Sequence, residues 1–222
     1  MKQLVLDLIP APAPTLANFV PGRNGEALAA LRTVLDGNAD LRASPVIYLW
    51  GVTGSGKTHL VRACLGQGFA VLPESENSIA DANGHHAIDD VNTLNDVSQH
   101  ALFDLINRQQ MAAGVLIATG NCAPRDLPLR RDLASRLGSC LVFQLQPLSD
   151  HEKAEALQAH ARTRSFALRE EVVAYLLRHG RRDLASLIHV LDQLDRYSLE
   201  TGREITLPLL KEMAQPSLYE TT

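Results

Sequence analysis

A cysteine framework, a long apolar run and a basic excess are all missing from this sequence, and each absence removes a class of protein. The three cysteines, Cys64, Cys122 and Cys140, are odd in number and none forms a C-x-x-C pair, which argues against a disulfide scaffold and against a thiolate zinc site. Reduced thiols are expected. No segment approaches about 18 consecutive apolar residues, and the N-terminus has no basic region followed by an apolar block and a small-residue cleavage site. The sequence therefore predicts neither a membrane span nor a secretory leader, and it places the protein in the cytoplasm. Lysine and arginine total 21 against 25 aspartate and glutamate, a formal net charge of -4. That balance argues against a general nucleic-acid or membrane binder, which recruits phosphate with a broad basic surface, though a local basic face is compatible with it.

What is present suits a two-part α/β molecule. The chain has 222 residues, 45% of them hydrophobic, enough for one ordinary domain and a smaller appended one. Residues 1–14 read as an extended tail and linker, because the alternation Gln3-Leu4-Val5-Leu6-Asp7-Leu8 leads into a proline-spaced run that cannot be helical. Helical spacing follows over 25–35. Strand-length apolar runs lie at 45–50, 69–72, 87–88, 114–119 and 141–145, and Val97, Ala101, Leu102, Leu105 and Ile106 supply a helical face between the third and the fourth. Strands alternating with helices predict a mostly parallel sheet, with ligands at the carboxyl ends of its strands. After Pro147 the pattern turns helical throughout: Ser149 caps a helix to residue 163, and others follow at 169–179, 183–200 and 207–214. The expected division is a tail at 1–14, an α/β domain at 15–148 and an all-helical domain at 149–222.

The strongest chemical signal is Gly51-Val52-Thr53-Gly54-Ser55-Gly56-Lys57-Thr58, which fits G-x-x-x-x-G-K-[ST] directly after a strand and before a helix. Glycines there let backbone N–H groups converge on phosphate oxygens at a helix N-terminus; Lys57 then reaches the outer phosphates and Thr58 ligates magnesium. About thirty residues later Asp89 and Asp90 end the third strand, where such a protein needs one carboxylate for magnesium and one to orient water. Paired aspartates are also common as turns and helix caps. Asn121, after the strand at 114–119, reads either as a hydrogen-bonding group for the terminal phosphate or as a turn residue. Arg136 and Arg182 read either as transition-state charge for a phosphoryl group, in cis or across an interface, or as solvated helix residues.

With these motifs in place, the sequence resembles the DnaA/Hda family of AAA+ ATPases, the bacterial replication initiators and their regulatory inactivators, over nearly its whole length. Thr15-Leu16-Ala17-Asn18-Phe19-Val20-Pro21-Gly22-Arg23-Asn24 is similar to the family's opening motif, and residues 51–58 with His59 and Leu60 to its P-loop. Ile88-Asp89-Asp90 resembles its magnesium strand, and Thr119-Gly120-Asn121 its sensor-1 motif. Asp132-Leu133-Ala134-Ser135-Arg136-Leu137 is similar to its arginine-finger box, and Arg181-Arg182-Asp183-Leu184 to the sensor-2 helix of its lid. The resemblance implies that Phe19 and Val20 pack on adenine, and that Gly51, Thr53, Gly54, Ser55, Gly56, Lys57, Thr58, His59 and Arg182 hold ADP or ATP. It implies further that Thr58 and Asp89 hold Mg2+, that Asp90 and Asn121 serve hydrolysis, and that Arg136 is the finger.

Within the family the inactivator branch fits best. The chain ends after residues 206–213, which leaves nothing for a C-terminal helix-turn-helix, and Gln3, Leu4, Leu6 and Leu8 resemble a sliding-clamp-binding peptide. Three departures accompany this: the segment between Leu72 and Gly84 is short, Asp7 stands where the peptide often has proline, and Asn121 where the family often has aspartate. The implied activity is stimulation of hydrolysis of DnaA-bound ATP by a protein tethered to the DNA polymerase III β sliding clamp. DNA is then met only through the clamp, no membrane is involved, and self-association is possible. The alternatives are a DnaA-family adaptor that recruits a helicase or binds DNA, and a small P-loop kinase.

Overall fold

The computed structural model describes residues 13–35, 46–72, 84–109, 114–180 and 183–214. The clamp-peptide residues Gln3, Leu4, Leu6 and Leu8, the short segment 73–83 and the sensor-2 residue Arg182 lie outside them. The described chain forms two compact units, Ala13–Pro147 and the helical region from Leu148 onward.

The first unit is built on a four-stranded parallel sheet in the order β2-β3-β1-β4, with β1 Val46–Trp50, β2 His86–Ile88, β3 Leu116–Gly120 and β4 Leu141–Gln144. Helices α1 Gly25–Leu35, α2 Lys57–Leu65, α3 Asp96–Gln109 and α4 Arg131–Gly138 cover it. Strands β1 and β3 are buried along both faces, which is why they read as continuous apolar runs and not as alternations. Their side chains still alternate between two layers. Ile47, Leu49 and Ile117 pack with Leu28, Leu31 and Leu60 from α1 and α2, whereas Val46, Tyr48, Leu116 and Ala118 pack with Leu102, Leu105, Leu133 and Leu137 from α3 and α4.

One strand expectation fails. Residues 69–72 form a single parallel bridge, Ala70 to His86, and not a strand. The turn at Gly68, with φ of 93°, delivers only Ala70 into register, and Val71 is already 64% exposed. Helix α4, which the sequence reading treated only as a motif, is a full element: Leu133 and Leu137 are buried one turn apart and Asp132 and Arg136 face solvent.

The second unit comprises α5 Asp150–Thr163, α6 Glu170–His179, α7 Leu184–Thr201 and α8 Leu207–Ala214, packed around Leu157, Val172, Leu176, Leu187, Leu191 and Leu209. Ser149 begins α5 with a reciprocal capping box: its hydroxyl accepts from the Glu152 N–H (3.2 Å) and its own N–H donates to the Glu152 carboxylate (2.7 Å). Asp183 caps α7 by accepting from the Ser186 N–H at 2.9 Å, and Gly202, in the left-handed conformation, ends it. Between α5 and α7, Asp192 receives His160 (2.7 Å) and Arg164 (3.1 Å) in a half-buried ionic cluster. Among the described residues no helix is long and apolar enough to cross a membrane.

Tyr48 locks the centre of the sheet. Its ring is fully buried, and its hydroxyl donates to the Cys122 carbonyl at 2.8 Å, just beyond the end of β3. A Cβ at Gly120 would collide with that hydroxyl, so the strand must end on glycine. Gly120→Ala is expected to lower the unfolding free energy by about 1–3 kcal/mol through overpacking. Tyr48→Phe alone should cost about 1 kcal/mol for the lost hydrogen bond, and the double variant less than the sum, because the phenylalanine returns part of the space. Urea denaturation of the four proteins measures this, and strict additivity would contradict the steric account.

Candidate functional site

The site forms where three parallel strands end side by side. β3 lies between β1 and β2, so the loop after β1 and the carboxylates after β2 sit two strand spacings apart, about 10 Å. Hydrogen bonds cross that span. The Gly51 N–H donates to the Gly120 carbonyl (3.3 Å), and on the far side of β1 the Leu145 N–H donates to the Trp50 carbonyl (2.7 Å). The loop is thereby fixed to both neighbours of its strand before it turns.

Its path requires the glycines. A Cβ at Gly51 would strike the Leu145 carbonyl and lie 2.9 Å from Ser55 Oγ. Gly54 and Gly56 have φ of 82° and 99°, in the left-handed region, and a Cβ at Gly56 would come within 2.7 Å of the Phe19 ring. The loop then enters α2 at Lys57, placing backbone N–H groups and the positive end of the helix at its mouth. Ser55 Oγ is buried without a hydrogen-bond partner among the described residues. Lys57 is only 8% exposed, and its ammonium donates to two neutral carbonyls, Gly51 O (2.8 Å) and Val52 O (3.1 Å), instead of to a carboxylate. An orphaned hydroxyl, a buried cation lacking a carboxylate partner in those bonds, and a helix N-terminus together make a cradle for a multiply charged anion such as a polyphosphate. Thr53, Gly54 and Thr58 are exposed on its rim.

The opening motif leans on this loop. Phe19 is buried against Gly56 and meets the His59 ring at 5.5 Å and 54°, while Val20 beside it is half-buried. His59 Nε2 lies 3.0 Å from the Thr15 carbonyl, which can only accept, so that nitrogen carries the proton. Asn24, buried, grips the end of β4 with both ends of its amide: Nδ2 donates to the Gln146 carbonyl (2.9 Å), and Oδ1 accepts the Gln146 N–H (2.7 Å). The motif thus shapes the loop's surroundings as packed structure.

On the carboxylate side, Asp89 is half-buried and Asp90 exposed, the latter in the left-handed region with φ of 49° and ψ of 58°. Both are held by Thr119, a residue the sequence reading passed over in favour of Asn121. Thr119 Oγ1 donates to Asp89 Oδ1 (2.6 Å) and accepts the Asp90 N–H (3.0 Å). The signal was a hydroxyl inside an otherwise apolar strand. Asn121 is exposed, and its N–H donates to Asn92 Oδ1 at 3.2 Å, so Asn92 also belongs to this rim. Among the described residues no group of three or more His, Cys, Asp or Glu side chains converges as a metal cage. The oxygen donors offered by Thr58 and Asp89 suit Mg2+, which takes few protein ligands and completes its shell with phosphate and water.

Arg136 stands apart from this arrangement, exposed on α4, which packs on α3, β4 and the turn at Pro124–Asp126. The helix ends just beyond it: the Arg136 carbonyl accepts from Ser139 Oγ (2.8 Å) and Cys140 Sγ (3.0 Å). Burial pushes the Cys140 thiol up to about 11 and the Cys64 thiol up to about 12, so both stay protonated at neutral pH. Neither is a candidate nucleophile.

Residues 150–214 match the family model of the Hda lid domain. Domain III of the Thermotoga maritima replication initiation protein DnaA superposes with a TM-score of 0.69 at 21% identity, covering 93% of this chain and 100% of that one. The AMPPCP-bound DnaA of Aquifex aeolicus gives 0.67 at 21%, over 86% of this chain and 67% of that one. The Thermotoga maritima RuvB Holliday junction branch migration motor gives 0.64 at 15%, over 85% and 67%. The fold is that of an AAA+ protein, a parallel α/β unit followed by a helical lid.

The orphaned hydroxyl in the cradle yields a direct test. Ser55→Ala removes a buried unsatisfied group, so it is expected to raise the unfolding free energy of the ligand-free protein by about 1 kcal/mol and to weaken binding of ADP or pyrophosphate. Denaturation and calorimetric titration read the two effects, and a variant that loses stability would contradict this assignment.

Proposed function

We propose that this chain, which carries an Hda-type lid match and the fold of DnaA domain III, belongs to the DnaA/Hda family and is a nucleotide-loaded inactivator of a DnaA-type initiator that promotes hydrolysis of the initiator's ATP while using its own nucleotide as a structural ligand. The observation that carries this reading is the pairing of an Hda-type lid at residues 150–214 with the fold of DnaA domain III. A fold shared with the initiator's domain III is suited to dock on the initiator as another initiator subunit would.

Residues 51–58 bind the phosphates of ADP or ATP: loop N–H groups and Ser55 Oγ donate to oxygens, and Lys57 exchanges its loop carbonyls for phosphate. Mg2+ at Thr58 and Asp89 neutralises phosphate charge when bound. Asp90 and Asn121 order water beside the phosphates, and Phe19, Val20 and His59 complete the nucleotide's surroundings on this unit. The exposed position of Arg136 on α4 supports a role outside its own chain, as a guanidinium delivered to the initiator's ATP, where it stabilises charge on the transferring phosphoryl group. Gln3, Leu4, Leu6 and Leu8 tether the protein to the DNA polymerase III β sliding clamp as an extended peptide, so that the reaction follows clamp loading in the cytoplasm and restrains re-initiation.

The test is a comparison of variants in hydrolysis of ATP preloaded on DnaA, with DNA-loaded clamp present. Arg136→Ala is expected to lower stimulation by about 10³-fold or more while leaving ADP binding intact. Lys57→Ala is expected to weaken ADP binding by about 10- to 100-fold, the range for a charged hydrogen bond. Gln3→Ala with Leu6→Ala should lose the stimulation seen with DNA-loaded clamp. Stimulation that survives Arg136→Ala would overturn the finger assignment. Duplex DNA binding without clamp, coupled to an absence of stimulation, would favour an adaptor.

A further inference from the structure

One hydroxyl of the neighbouring strand holds the Asp89 carboxylate and the Asp90 backbone after β2, and we infer that Thr119 is a positioning residue that sets the magnesium affinity of the nucleotide site. The inference rests on the proposal that Asp89 holds magnesium beside a bound nucleotide. Thr119 is fully buried and paired in register with Leu49 of β1. Its strand is otherwise Leu116, Ile117, Ala118 and Gly120, so a valine of nearly the same shape would fill the position without any polar group to satisfy. The hydroxyl instead uses its one proton on Asp89 Oδ1 (2.6 Å) and one lone pair on the Asp90 N–H (3.0 Å).

Those two bonds do different work. The first fixes the rotation of the Asp89 carboxyl group and commits Oδ1, so that a cation meets Oδ2 in one defined direction. The second fixes the backbone of Asp90, which has a left-handed conformation that aspartate tolerates better than most residues but that still costs free energy. Thr93 adds a third constraint, since its N–H (3.0 Å) and its hydroxyl (2.8 Å) both donate to the Asp90 carbonyl. The next residue of β3, Gly120, accepts the Gly51 N–H. A displacement of the end of β3 therefore moves the carboxylates and the phosphate loop together. Groups that orient a metal ligand from behind typically change metal affinity by about 10- to 100-fold when removed.

The experiment titrates Mg2+ into ADP-saturated protein, and ADP into protein in EDTA, for wild type, Thr119→Val and Thr119→Ser. Thr119→Val is expected to bind ADP in EDTA as wild type does and to lose Mg2+ affinity by about 10-fold or more. Thr119→Ser, which keeps the hydroxyl, should restore most of it. Equal losses with and without Mg2+ would show a merely structural role and overturn the inference, as would unchanged Mg2+ affinity in Thr119→Val. Wild type that fails to bind ADP, or binds it with no contribution from Mg2+, overturns the magnesium-nucleotide reading and this inference with it. A second measurement needs no variant: amide exchange at Asp90 in ADP-loaded wild type should slow when Mg2+ is added, and an unchanged rate overturns the inference.

Discussion

The site depends on how closely the loop after β1 passes its two neighbouring strands. Gly51 donates to Gly120 on one side and has the Leu145 carbonyl where its own Cβ would be on the other, so the loop's first residue is fixed by backbone contacts alone. Everything downstream inherits that position: the left-handed turns at Gly54 and Gly56, the burial of Ser55 and the start of α2 at Lys57. A backbone-defined cradle moves little when a ligand arrives, and low reorganisation is what makes oriented N–H groups effective toward phosphate.

Electrostatics follow from the same geometry. Burying the Lys57 ammonium against two neutral carbonyls leaves positive charge at a helix N-terminus, a state that costs stability and that an anionic ligand relieves. Ser55 Oγ has the same character on a smaller scale. The cradle is thus built at the expense of the ligand-free protein, and under the proposed function a bound nucleotide would stabilise the fold by mass action. That coupling suits a nucleotide that serves as a structural ligand, because holding it is then useful without turning it over.

Most of the fold was legible because its determinants are local. Apolar runs gave β1, β3 and β4, helical spacing gave α1 and α3 and the lid helices, and Ser149 marked the start of α5. The path of the loop at 51–58 was legible for the same reason, since close backbone approach at Gly51 and positive φ at Gly54 and Gly56 both call for glycine. Thr119 was not, because its partners Asp89 and Asp90 lie thirty residues away and meet it only after β2 and β3 pair. Residues 69–72 looked like a strand by composition, but pairing needs register with β2, and only Ala70 attains it. Asn24 was read as part of a motif, whereas its amide closes two hydrogen bonds with Gln146, again a contact made by the fold.

The proposed role turns on which of two nucleotides is hydrolysed. Differently labelled ATP can be loaded on DnaA and on this protein, the two mixed with DNA-loaded clamp, and both labels followed through a single turnover. Conversion of the DnaA-bound label to ADP, with the label on this protein retained over the same period, is the predicted result. Hydrolysis confined to this protein's own nucleotide, with DnaA-bound ATP persisting, would contradict it.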